Sequence, residues 1–177
     1  MIRIAIVVAS TRPGRRGDQV ARWVYEQATA RTPAEAGVEY AVVDLAEVDL
    51  PMLDEPVPAA IGDYQHDHTR RWADLIASFD GFVFVTPEYN RGIPAPLKNA
   101  IDYLFAEWHD KAAAFVGYGI NGGVRAVEQL RSALAELKVA CVRSQVALGL
   151  FTDFTFADVT EPGVFTPAEH HLPVLER

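Results

Sequence analysis

Ile2-Arg3-Ile4-Ala5-Ile6-Val7-Val8-Ala9 opens the chain, and Ser10-Thr11-Arg12-Pro13-Gly14-Arg15-Arg16-Gly17 follows it. The first stretch is β-branched and almost continuously apolar, which suits a strand buried on both faces of a parallel sheet. The second is a polar Gly/Pro turn. Val20, Val24 and Ala28 then recur at helical spacing, with Trp23 alongside, and predict a helix from about Asp18 to Arg31.

The same alternation runs on down the chain. Val38 to Leu45 reads as a second strand. Trp72, Leu75, Ile76 and Phe79 sit at i, i+3, i+4 and i+7 of a helix that Asp80-Gly81 ends. Phe82 to Val85 is a third buried strand. Leu97, Ala100, Ile101, Leu104, Phe105 and Trp108 trace one amphipathic helix, opened by Pro94 and Pro96. Ala112 to Tyr118 is a fourth strand, Val127, Leu130, Leu134 and Leu137 mark a fourth helix, and Val139 to Leu148 reads as a fifth strand. The order βαβαβαβαβ predicts an α/β fold, with a doubly wound five-stranded parallel sheet between two helical layers. Residues 1–177 read as a single domain, without repeat or linker. Ala46 to His68 is long for a βα connection, which suits a lid or a subunit contact. Thr166-Pro167-Ala168-Glu169 has the form of a capping box opening a last short helix.

Sixteen basic residues stand against 24 acidic ones, a formal charge of −8. That balance argues against nucleic-acid binding by counterion release and against a polybasic membrane surface. The apolar run Ile4–Ala9 is too short to span a bilayer and lacks a signal-peptide layout. Cys141 is the only cysteine, so no internal disulfide can form. These features lead us to expect a cytoplasmic protein.

In an open α/β sheet, ligands bind beyond the carboxyl ends of the strands where the strand order reverses. Three βα loops are chemically unusual: Ser10–Gly17, Thr86–Gly92 and Gly117–Gly123. If the strand order is 2-1-3-4-5, these loops follow adjacent strands and converge on one crevice. The first offers two hydroxyls, three guanidinium groups and a helix N-terminus, a set that suits a phosphate; an exposed turn with solvated arginines is the alternative. Gly-x-Gly-x-x-Gly and Gly-Lys-Ser/Thr are both absent, so neither a dinucleotide fingerprint nor an NTPase loop is present. The second loop offers rigid backbone amides and Tyr89, which can pack on an aromatic ring; a capped turn with Glu88 paired to an arginine is its plainer reading. The third, Gly117-Tyr118-Gly119-Ile120-Asn121-Gly122-Gly123, lets a flat ligand approach backbone closely.

With Ser10-Thr11-Arg12, Pro87-Glu88-Tyr89-Asn90 and Leu97-Lys98-Asn99-Ala100-Ile101-Asp102 together, the chain resembles the NADPH-dependent FMN reductase family of flavodoxin-like proteins. The resemblance implies FMN as cofactor, NADPH or NADH as co-substrate and a homodimer. The resemblance implies that the first loop holds the phosphate and the Pro87–Asn90 tetrad the ring, with Ser10, Thr11, Arg12, Gly17, Gln19, Val20, Pro87, Glu88, Tyr89, Asn90, Tyr118 and Gly119 as the implied cofactor contacts. It also implies that hydride passes to flavin N5 and on to a small acceptor such as free flavin, a quinone, an azo compound or a metal oxyanion. No catalytic side chain is then expected. The sequence departs from the family at Ala9, where many members have glycine, and at Gly17 and Gly117, where serine is common.

The remaining candidates read as structural. His66-x-His68 and His170-His171 are poorly spaced for a closed metal site, and no metal is expected. Cys141, Trp23, Trp72 and Trp108 suit the core, and Asp44 ends the second strand with no dinucleotide loop to serve. An electron carrier of the flavodoxin type, or a flavin-binding partner protein without its own NAD(P)H oxidation, is the alternative function.

Overall fold

The computed structural model describes residues 1–158 and 160–176. The opening run forms β1 (Ile2–Val8), and the turn after it leads into α1 (Gly17–Arg31). β2 (Val38–Asp44) and β3 (Gly81–Pro87) lie on either side of β1 in parallel, so that Ile6 is level with Val42 and Val83. β4 (Ala112–Gly119) adds to β3, giving the order 2-1-3-4-5 with every pairing parallel. Alternate residues of β1 face opposite ways, as the pleat requires. Ala5 and Val7 join a core with Trp72, Ile76, Leu97, Ile101, Leu130 and Leu134, while Ile6 and Val8 pack with Val20, Ala21 and Val24 of α1. The sheet is therefore doubly wound between helical layers, as the alternating pattern predicts.

The expected fifth strand is present in two pieces, β5 (Ala140–Cys141) and β6 (Val146–Gly149), which both pair with β4. Between them, Arg131 of α5 (Val124–Glu136) donates to the carbonyls of Val142 and Arg143. A side chain thus satisfies backbone acceptors that a continuous strand would leave at the edge.

α2 (Leu45–Val48) and α3 (Asp67–Ala77) bracket the long connection, whose other backbone is anchored by side chains. Asn99 accepts from Leu53 N and donates to Pro51 O, and the Tyr103 hydroxyl donates to Asp54. The single helix expected from Leu97 to Trp108 is shorter than its pattern. α4 (Ala95–Asp102) stops, and a 3-10 turn at Ala106–Trp108 follows. The indole N–H groups of Trp72 and Trp108 donate to the Ala100 and Ile101 carbonyls, which satisfies two acceptors of the last turn.

The tail also corrects an expectation. Thr166 is not a helix cap: a 3-10 turn begins after Ala168 and leads into α6 (Leu172–Leu175). Asp153, almost fully buried, takes the organising role, accepting from Gly149 N, Thr152 Oγ1, Ala168 N and His171 Nε2. Before it reaches α6, the chain makes an antiparallel hairpin of β7 (Phe154–Thr155) and β8 (Val164–Phe165). No helix among the described residues is long and apolar enough to cross a membrane.

Candidate functional site

The three unusual loops leave the carboxyl ends of β1, β3 and β4, which are neighbours in the sheet, and side chains tie them together. The Ser10 hydroxyl, fully buried, hydrogen-bonds the Tyr89 hydroxyl at 2.9 Å, linking the first loop to the second. The Glu88 carboxylate accepts from the Arg125 backbone N–H at 3.0 Å and pairs with its guanidinium at 2.9 Å. It thereby covers an amide in the first turn of α5, where negative charge is favoured. Glu88 N–H also donates to Tyr118 O at 3.1 Å, joining the second loop to the third.

Within the second loop, Tyr89 and Gly92 exchange both backbone hydrogen bonds, and Asn90 and Arg91 between them have φ of 49° and 69°. This is a two-residue turn with both central residues left-handed, the type that asparagine tolerates best. It holds Tyr89 to Gly92 as a rigid tip after the buried Pro87. In the third loop a Cβ on Gly117 would lie 2.7 Å from the Gly122 carbonyl. The chain folds back too closely there for any larger residue, which accounts for the glycine.

The three arginines of the first loop do not act as one positive patch. Arg15 donates to the Ser10 carbonyl at 3.0 Å and pairs with Asp44. Arg16 donates to the Glu161 carbonyl at 3.0 Å and stacks over the Phe156 ring. Arg12 is exposed and makes no ion pair among the described residues. It borders a cavity of about 430 Å³ with Thr11, Gly14, Asp18 and Pro162. A second cavity of about 320 Å³ lies on the other side of Thr11, against Leu45, Asp49 and Asn99.

The Gln19 side chain is engaged elsewhere: its amide donates to Gly163 O at 3.1 Å and accepts from Phe165 N at 3.0 Å. Val20 is wholly buried in the core. The Tyr118 hydroxyl is buried and has no hydrogen-bond partner among the described residues. Burial, followed by the nearby Tyr89 oxygen, pushes that hydroxyl above the ordinary tyrosine range, so it carries its proton.

The family model for NADPH-dependent FMN reductase matches residues 2–153. This chain belongs to the NADPH-dependent FMN reductase family. It is 39% identical over 160 residues to an NAD(P)H-dependent FMN reductase of Nectria sp, covering 86% of this chain and 79% of that protein. It is 33% identical over 147 residues to a quinone reductase of Pseudomonas putida, covering 79% of this chain and 73% of the other. In fold it is similar to the NAD(P)H:(acceptor) oxidoreductase FerB of Paracoccus denitrificans, with TM-score 0.73 and 22% identity over 99% of this chain and 94% of that one.

The family match ends at Asp153, so the β7–β8 hairpin that engages Arg16 and Gln19 lies outside it. The pairing of Glu88 with an arginine, the plainer reading of the second loop, is present, with Arg125 as the partner. The β7–β8 hairpin, the Arg15–Asp44 pair and the identity of Arg125 as the partner were not legible from the sequence. Each joins residues at least 29 positions apart. His66 and His68 stack and contact Asp54. Among the described residues no three or more His, Cys, Asp or Glu side chains form a group suited to a metal ion.

Proposed function

We propose that this chain is an FMN-dependent NAD(P)H oxidoreductase that passes electrons to a small acceptor of the quinone or flavin class. The observation that carries the reading is the linking of three loops at one end of the sheet through Ser10–Tyr89 and Glu88–Arg125. That is where an open α/β sheet binds its ligand. The residues fit the cofactor. An uncommitted Arg12, the start of α1 and a protonated, unpartnered Tyr118 hydroxyl suit a terminal phosphate. Ser10, Thr11 and the backbone at Gly17 complete that end. Pro87, Glu88, Tyr89 and Asn90 present a rigid turn to the ring, with the backbone of Tyr118 and Gly119 behind it, while the Tyr118 side chain turns toward Gly17 of the first loop. Gln19 and Val20 can contribute only through backbone, because their side chains are engaged elsewhere.

Bound FMN supplies the two-electron chemistry between nicotinamide and acceptor. The chain's own residues bind, orient and shield. Arg12 neutralises the phosphate, and the Ser10–Tyr89 bond keeps the phosphate loop in register with the ring turn. Glu88 is held by Arg125 and is assigned no acid–base role. Relatives named as FMN and quinone reductases favour this reading over a carrier without NAD(P)H oxidation.

The reading includes a homodimer, supported by exposed apolar side chains on the long connection (Met52, Leu53 and Ile61). It treats the chain as one domain, supported by the tail's packing against α1. A cytoplasmic location suits the single cysteine. Steady-state kinetics with NADPH and a benzoquinone test the function. Parallel double-reciprocal lines are expected, because both substrates use one site in turn. Intersecting lines, or no quinone-dependent NADPH oxidation, would count against it.

A further inference from the structure

Position 17 opens α1, a helix of 15 residues, and it is a glycine. A Cβ placed there would lie 2.9 Å from the Tyr118 hydroxyl oxygen, 3.2 Å from Val8 Cγ1 and 3.7 Å from Tyr118 Cζ. The last of these is an ordinary contact. Of the Tyr118 ring, only the hydroxyl oxygen therefore conflicts with a side chain at 17. That oxygen fills the room that the glycine leaves.

A phenylalanine at 118 would keep the packing of the ring and leave only that small room empty. The hydroxyl gains no hydrogen bond of good geometry in return for its burial: Tyr118 is 5% exposed and its oxygen has no such partner among the described residues. Burying an unpaired hydroxyl is unfavourable, and such groups call for an explanation. The surroundings are polar: Tyr89 and Arg12 act on the hydroxyl through charge, and the Ser10 side chain is near enough to act as a hydrogen-bonding neighbour, although its own bond of good geometry goes to the Tyr89 hydroxyl at 2.9 Å. A protonated hydroxyl needs an acceptor, and the start of a helix beside a free guanidinium favours an anionic one.

We propose that the Tyr118 hydroxyl, standing in the room left by Gly17 at the start of α1, donates a hydrogen bond to the phosphate of the flavin cofactor. Position 118 thereby supplies the hydroxyl that position 17 lacks. The proposal rests on the FMN reading above, and it makes Tyr118 a determinant of the preference for phosphorylated flavin.

Dissociation constants for FMN and for riboflavin, which has no phosphate, test it in the unaltered chain and in Y118F by flavin fluorescence quenching. Melting of the flavin-free proteins is followed in parallel. For Y118F, FMN affinity is expected to fall roughly ten- to a hundredfold, the range for a hydrogen bond to a charged group. Riboflavin affinity is expected to stay put, and the flavin-free protein to melt no lower. In the double variant G17S/Y118F, the serine meets only ring carbon on that side, and FMN affinity is expected to recover. Unchanged FMN affinity in Y118F, an equal loss for both flavins, or no recovery in the double variant would overturn the assignment. An unaltered chain that binds neither flavin would overturn the functional reading itself, a result distinct from these.

Discussion

Arg12 and Arg15 lie three positions apart on one loop, yet their removal should have different consequences. Arg12 is exposed at the rim of the 430 Å³ cavity, whereas the Arg15 guanidinium is paired with Asp44, at side-chain exposures of 19% and 12%. Replacing Arg12 with alanine is predicted to weaken FMN binding by about 1.5–3 kcal/mol, the worth of a charge-assisted contact. Calorimetry should find this with an unchanged melting temperature. R15A should instead lower the melting temperature, because it strands a mostly buried carboxylate. Glu88 offers a second contrast. E88Q keeps an acceptor for the Arg125 N–H but loses the ion pair. A lower melting temperature with an unchanged pH profile of kcat is expected; a lost limb in that profile would restore an acid–base role to Glu88.

At the scale of elements, the tail fastens the phosphate loop from outside. Gln19 pairs with backbone of β8, and Asp153 holds the following turn. Burial pushes the Asp153 carboxyl up, but hydrogen bonds from Ala168 N, Thr152 and Gly149 N, with the nearby His171, bring it below the ordinary carboxylate range. A depressed folded-state pKa contributes stability that is present above the unfolded value of about 3.9 and is lost as pH falls through the folded value. Melting temperatures measured down through pH 4 should therefore fall for the native chain, and less steeply for D153N. Equal slopes would show that Asp153 contributes nothing to acid unfolding.

The elements also mark what the sequence could reveal. β1, β3 and β4 are apolar runs, so the strands and the loops after them were legible, while their order across the sheet entered as a condition that the structure meets. The break after Asp102 was not. Leu104, Phe105 and Trp108 keep helical spacing past it, and what ends α4 is a pair of indoles reaching carbonyls from Trp72 and Trp108. The β7–β8 hairpin has two residues per strand, too few for any period to register. Three guanidinium groups in one loop suggested a shared phosphate site. The long-range partners of Arg15 and Arg16 reduce it to Arg12.

Over the whole molecule, the alternation of strand and helix brings three loops to one end of a sheet, and the side-chain bonds between those loops make a single site of them. The central claim is that this end holds FMN and lets nicotinamide reduce it. The direct measurement is the visible spectrum of the FMN-loaded protein under nitrogen, before and after addition of NADPH or NADH. The account predicts a yellow protein whose visible flavin absorption bleaches on addition and returns when a quinone is supplied. A protein that takes up no FMN, or one whose bound flavin stays yellow with both nicotinamides, would contradict it.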